Sequence, residues 1–96
     1  MSKRTYKQIF NAKYNQPLDQ PNSIEDIARL TGYQLKGLKT IFERGEGAFY
    51  NNPQSVRKGI TNPQQWAYAR LYASVNENSK AHKVDKMFLI KRREIF

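Results

Sequence analysis

Apolar residues recur along this chain in short groups at helical spacing, separated by breaks rich in Pro, Gly and Asn. Tyr6, Ile9, Phe10 and Tyr14 fall on one side of a helical repeat, and Thr5 stands where an N-cap belongs, so a first amphipathic helix is predicted there. Pro17 and Pro21 end it. The stretch 15–22 has no apolar period and reads as a linker or extended arm, which makes 1–22 an N-terminal arm and linker. Ser23 is then placed as an N-cap with Asp26 completing a capping-box-like start, and Glu25 suits the helix dipole, so a helix is predicted from Ile24 to Leu30, stopped by Gly32.

A further helix is predicted from about Gln34 to Arg44, burying Leu35, Leu38, Ile41 and Phe42 and capped by Gly45. Gly37 within it costs about 1 kcal/mol relative to Ala unless a neighbour packs closely there. From Gly45 to Asn62 the three Gly, one Pro and paired Asn predict a long irregular loop, a feature more often found where something binds. Asn52-Pro53-Gln54 and Asn62-Pro63-Gln64 each offer Asn as N-cap and Pro at the first helical position, and so mark two helix starts. The second opens the best helix, Pro63 to about Val75, whose stripe Tyr68, Leu71, Tyr72 and Val75 marks the core. Trp66, Ala69 and Ala73 form a neighbouring face suited to close approach of another element. After a polar connector, Asn76 to Ser79, the apolar run Val84 to Ile90 is either a short strand or a closing helix, since its period fits both.

The pattern therefore predicts a mainly α, small helical fold with a helix-turn-helix-like pair and at most one short C-terminal strand. With 96 residues, the chain fits one domain, 1–96. Hydrophobic residues at 39% and aromatics at 12% are enough for a core and too many for a disordered polycation. Cysteine is absent, which excludes disulfides and thiolate chemistry. No run approaches the roughly 18 apolar residues of a membrane span, and the first residues lack the apolar stretch of a signal peptide, so a soluble protein not secreted by that route is expected.

Charge changes the picture most. Lys and Arg number 17 against 8 Asp and Glu, a formal net charge of +9, and the surplus is uneven: +3 over residues 1–48 and +6 over 49–96. Between Lys80 and Arg93, six basic residues (Lys80, Lys83, Lys86, Lys91, Arg92, Arg93) face one acid, Asp85, and alternate with Val84, Met87, Phe88, Leu89 and Ile90. If helical, this segment aligns Lys80, Lys83 and Lys86 along one side while Val84, Met87 and Phe88 pack inward, a ridge suited to a phosphate backbone. The apolar residues also suit an anionic bilayer surface, but the amphipathic stretch is short for that. Lys91-Arg92-Arg93 is in addition a short nuclear-import-like run.

Two other places fit nucleic acid. Ala28, Gly32, Tyr33, Leu38 and Ile41 occupy the places of a helix-turn-helix, which would turn Gln34, Lys36, Lys39, Thr40 and Glu43 toward a groove or its phosphates; any two helices packed across a Gly turn give much the same pattern. The stretch from Gly45 to Pro53, with Arg57 and Lys58 close behind, lacks the Gly-Lys-Ser/Thr ending of a P-loop but places basic residues beside a helix N-terminus. Phe49 and Tyr50 there either stack on an unpaired base or close the core.

Enzymatic readings find little support. His82 is the single histidine and sits among Lys80, Lys83 and Lys86, no two carboxylates stand in a recognisable catalytic frame, and a metal site built from Glu43, Glu46 or Asp85 has no supporting ligands in the sequence. No cofactor or metal is expected.

The stretch Thr31-Gly32-Tyr33-Gln34-Leu35-Lys36-Gly37-Leu38-Lys39-Thr40-Ile41-Phe42-Glu43-Arg44-Gly45, with Trp66-Ala67-Tyr68-Ala69-Arg70-Leu71-Tyr72 and Ser79-Lys80-Ala81-His82-Lys83-Val84-Asp85, resembles small uncharacterised proteins of large double-stranded DNA viruses and tailed phages. The resemblance implies a viral genome or virion as context, in the particle or in the nucleus or cytoplasm of an infected cell, and supplies no catalytic residues. Together these readings lead to a non-enzymatic basic protein that binds nucleic acid, DNA ahead of RNA, through Lys36, Lys39, Arg57, Lys58, Lys80, Lys83, Lys86, Lys91, Arg92 and Arg93. The alternative is a minor capsid or virion protein that docks on acidic protein surfaces.

Overall fold

A computed structural model describes residues 3–51 and 62–92. Its elements are α1 (Tyr6–Lys13), α2 (Ile24–Thr31), α3 (Leu35–Asn51), α4 (Pro63–Ser74) and α5 (Lys80–Asp85), the last running into a single 3-10 turn, Lys86–Phe88. The helix starts are set by local chemistry. Thr5 and Gln8 form a reciprocal capping box on α1, and Ser23 and Asp26 form one on α2. The Asn62 side chain accepts from the Gln65 N–H at 2.7 Å, with Pro63 at the first position of α4. Ser79, expected only as part of a polar connector, caps α5 by accepting from the His82 N–H at 3.0 Å.

Gly32 ends α2 at φ 81°, the left-handed conformation that glycine adopts without a side-chain clash. Gly45 behaves differently from the expected C-cap. α3 continues through it to Asn51, because Gly45 lies at the crossing with α4, where an added Cβ would come within 2.9 Å of the Ala67 Cα. The close approach of α3 and α4, the most extensive helix pair, thus falls at Gly45 and Ala67. The core gathers Phe10, Ile27, Leu38, Ile41, Leu71, Tyr72 and Val75; all but Ile27 lie on the predicted stripes, whereas Tyr6 and Ile9 of the first stripe are exposed.

Residues 15–22, expected as a linker or arm, fold back onto α1 through side-chain amides. Buried Asn11 donates to the Leu18 and Gln20 carbonyls at 2.8 and 3.1 Å and accepts from Gln16 and Asn22, both at 2.9 Å. Asn22 also donates to the Tyr72 hydroxyl at 3.1 Å, joining this turn to α4. Asn15 takes the one positive φ outside glycine among the described residues, 58°, which Asn tolerates better than most.

The C-terminal run resolves as helix followed by an irregular return, with no strand among the described residues. The return crosses the α2–α3 turn: the Gln34 N–H donates to the Ile90 carbonyl at 2.8 Å, the Arg92 N–H to the Gly32 carbonyl at 2.7 Å, and Tyr33 and Lys91 form an isolated antiparallel bridge. This return is what packs on Gly37, where an added Cβ would sit 1.8 Å from the Phe88 carbonyl oxygen. Gly47, on the same helix, has nothing within 4 Å of that position. Gly47→Ala should therefore stabilise the fold by about 0.5–1 kcal/mol through helix propensity, whereas Gly37→Ala should destabilise it by about 1–2 kcal/mol, overpacking outweighing the same gain. Urea unfolding of both variants tests this, and equal stabilisation by the two would mean that the return does not seat on α3.

Candidate nucleic-acid interface

Asp85 decides which way α5 faces. It is 1% exposed, and its carboxylate accepts from Arg70 Nη2 at 2.9 Å, Arg70 Nε at 3.3 Å and Ser74 Oγ at 2.5 Å. Burial pushes its pKa up, but the bonds from Arg70 and Ser74 and the charges of Arg70 and Arg44 outweigh that and hold the carboxyl below its usual range. With position 85 turned inward, position 88 follows one turn later, and positions 80, 83, 84 and 87 face outward.

This corrects the expected orientation. Lys80, Lys83 and Lys86 are exposed as predicted, but Val84 and Met87, expected inside, are 65% and 69% exposed beside them. Phe88 and Leu89 are the apolar residues that pack on the core. The outer face of α5 and the 3-10 turn that continues it (the α5 face) therefore combines three cations with two apolar side chains, and its one acid has been withdrawn.

Lys91 has another task. Its ammonium donates to the Thr31 carbonyl at 2.5 Å and lies 4.2 Å above the Tyr33 ring, so it closes the C-terminal end of α2. Burial, with smaller contributions from Glu77 and Tyr14, pushes the Tyr33 phenol up. Arg92 is exposed and is tied by its backbone to Gly32. Lys36 and Lys39 are exposed on α3 in one stripe with Glu43, while the Thr40 hydroxyl donates to the Lys36 carbonyl at 3.1 Å within the helix. Because the return pairs Ile90 with Gln34 and Phe88 with Gly37, it brings the first turn of α3, with Lys36, next to the C-terminal basic segment. Arg57, Lys58, Arg93 and the expected helix start at Asn52-Pro53 lie outside the described residues. The part of the expected loop from Gly45 to Asn51 is helical, and Phe49 and Tyr50 pair edge to face at 5.6 Å with Tyr50 exposed, so neither ring belongs to the core.

Ser74, His82 and Asp85 come together but form no nucleophile relay. The Ser74 hydroxyl already donates to Asp85, and His82 Nδ1 meets the Ser74 backbone carbonyl at 2.9 Å, with Nδ1–H the matching tautomer. Among the described residues, no three His, Asp or Glu side chains are grouped to hold a metal ion, and Glu46 accepts from Gln64 at 3.3 Å. Sequence reasoning missed the Arg70–Ser74–Asp85 clamp. Its one signal was a lone acid in a basic run with apolar neighbours, which marks a charge with a buried partner.

Compared with known proteins, the chain matches a family of unknown function (DUF5824) over residues 1–89. No curated protein and no solved structure matches it.

Proposed function

The chain belongs to the DUF5824 family of unknown function, and we propose from its own residues that it is a non-enzymatic nucleic-acid-binding protein that grips phosphates with the α5 face. One observation supports this most. Lys80, Lys83 and Lys86 are exposed without an ion pair among the described residues, while the single acid of the segment is buried against Arg70. Uncompensated lysines, with the first turn of α3 and Arg92 brought beside their segment by the C-terminal return, provide an electrostatic footprint for a phosphate backbone. The resemblance to proteins of double-stranded DNA viruses and phages supports DNA, within a viral genome or particle, as the partner.

Fluorescence-anisotropy titration with duplex and single-stranded DNA tests the reading. Three or more phosphate contacts should lower duplex affinity about 40-fold or more between about 50 and 200 mM salt. No binding at the lower salt would contradict it. Val84 and Met87, exposed beside the lysines, favour a second reading in that event: a minor virion protein whose basic and apolar face docks on an acidic protein surface. No helix among the described residues is long and apolar enough to cross a membrane.

A further inference from the structure

A groove of about 690 Å³ lies away from α5, between the N-terminus of α1, the turn at Pro21–Ser23 and α4. Its size is that of a small-molecule site, and its lining mixes rings, amides and positive charge. Tyr6, 38% exposed, and half-buried Tyr68 supply aromatic surface. Gln65 is exposed, and its side-chain amide makes no hydrogen bond among those described, leaving a donor and an acceptor side by side. Tyr72 is 3% exposed and lines the groove, with its hydroxyl held by the Asn22 amide at 3.1 Å.

The positive end is equally specific. The first turn of α1 contains no acid, its Tyr6 and Lys7 N–H groups precede the intrahelical ladder, and Lys7 lines the groove. Lys3 and Arg4, both exposed, lead into it. The α2 N-terminus beside it is already answered by Glu25 and Asp26, so anion affinity concentrates at α1.

We infer that this groove binds one nucleotide unit, the base against Tyr6 and Tyr68 with its edge at the Gln65 amide, and the phosphate at Lys7 and the α1 N-terminus. An aromatic base carrying a phosphate satisfies the rings, the amide and the cation at once. The ligand is a free nucleotide or a unit of a single strand; the latter source rests on the nucleic-acid reading above.

Backbone and side-chain amide NMR shifts of the full chain, titrated with adenosine monophosphate, a short single-stranded oligonucleotide and inorganic phosphate, test the proposal. Shifts should appear at Thr5–Lys7, Asn22 and Gln65 with one or both base-bearing ligands, and which of them is effective identifies the source. Tyr6→Ala combined with Gln65→Ala, both exposed and therefore mild for the fold, should weaken that binding about 5- to 150-fold while duplex affinity and its salt slope stay unchanged. Absence of groove shifts with either base-bearing ligand would overturn the proposal even if duplex DNA binds through α5. So would equal shifts with phosphate alone. Groove shifts with the mononucleotide and no binding of DNA would uphold the groove and defeat the phosphate-backbone reading of α5.

Discussion

Arg70→Met is expected to cost about 3–5 kcal/mol of stability near neutral pH, because it removes the cation from a carboxylate that has almost no access to water. Asp85 would keep only the Ser74 hydroxyl as a direct partner. A surface ion pair such as Arg29–Asp26, at 3.3 Å and well exposed, contributes far less because solvent screens it. The difference is desolvation: water replaces a lost partner at Asp26 and is excluded at Asp85. Since the loss approaches the whole stability of a small domain, about 5–15 kcal/mol, the companion variant is Arg70→Met with Asp85→Asn. Removing the stranded charge should recover part of the loss, as the coupling of a buried pair requires.

The pH dependence follows with its sign. In the native protein the Asp85 carboxyl titrates below its usual range, so its contribution is present above the unfolded value, about pH 4, and is lost as pH falls through the folded value. In Arg70→Met, burial is opposed by less, the folded pKa rises above the unfolded one, and protonation relieves the protein instead. The penalty of Arg70→Met should therefore be largest at about pH 7 and shrink toward about pH 4 in urea unfolding. A penalty below about 1 kcal/mol that does not change with pH would show that the pair is solvated like Arg29–Asp26.

What the sequence made legible was whatever depends on near neighbours. Thr5, Ser23 and Asn62 cap helices because a side chain three residues from an N–H needs no tertiary information to reach it. The glycines divide on the same line. Gly32 takes a left-handed turn, a local role, whereas Gly45 and Gly37 serve Ala67 and Phe88, residues 22 and 51 positions away, and nothing beside them in the chain distinguishes the roles. The amides of Asn11, Gln16 and Asn22 looked like linker composition because their last partner, Tyr72, is 50 residues from Asn22. At the candidate interface, density of charge was readable and direction was not. Six cations between Lys80 and Arg93 are visible in the sequence, but Asp85 turning toward Arg70 is what sends Val84 and Met87 outward. Lys91 illustrates the limit in the other direction, since a lysine in a basic run is engaged by a carbonyl 60 residues away.

The central claim is that the α5 face neutralises phosphates, and replacing Lys80, Lys83 and Lys86 together by Ala bears on it with a large expected effect. All three are exposed and Ala suits a helix, so the fold should persist while three contacts disappear. Each contact on duplex DNA contributes about 0.9 to the slope of log affinity against log salt, so the slope should flatten by about 2.7. The same three contacts amount to about 10²- to 10³-fold in affinity at about 0.1 M salt. Lys36→Ala with Lys39→Ala provides the comparison on α3, where a flattening of at most about 1.8 is expected and Glu43 already offsets part of the charge. The decisive measurement is the salt slope of duplex DNA binding for the α5 triple variant beside the unaltered protein: flattening by about 2.7 is the expected result, and an unchanged slope would contradict the claim.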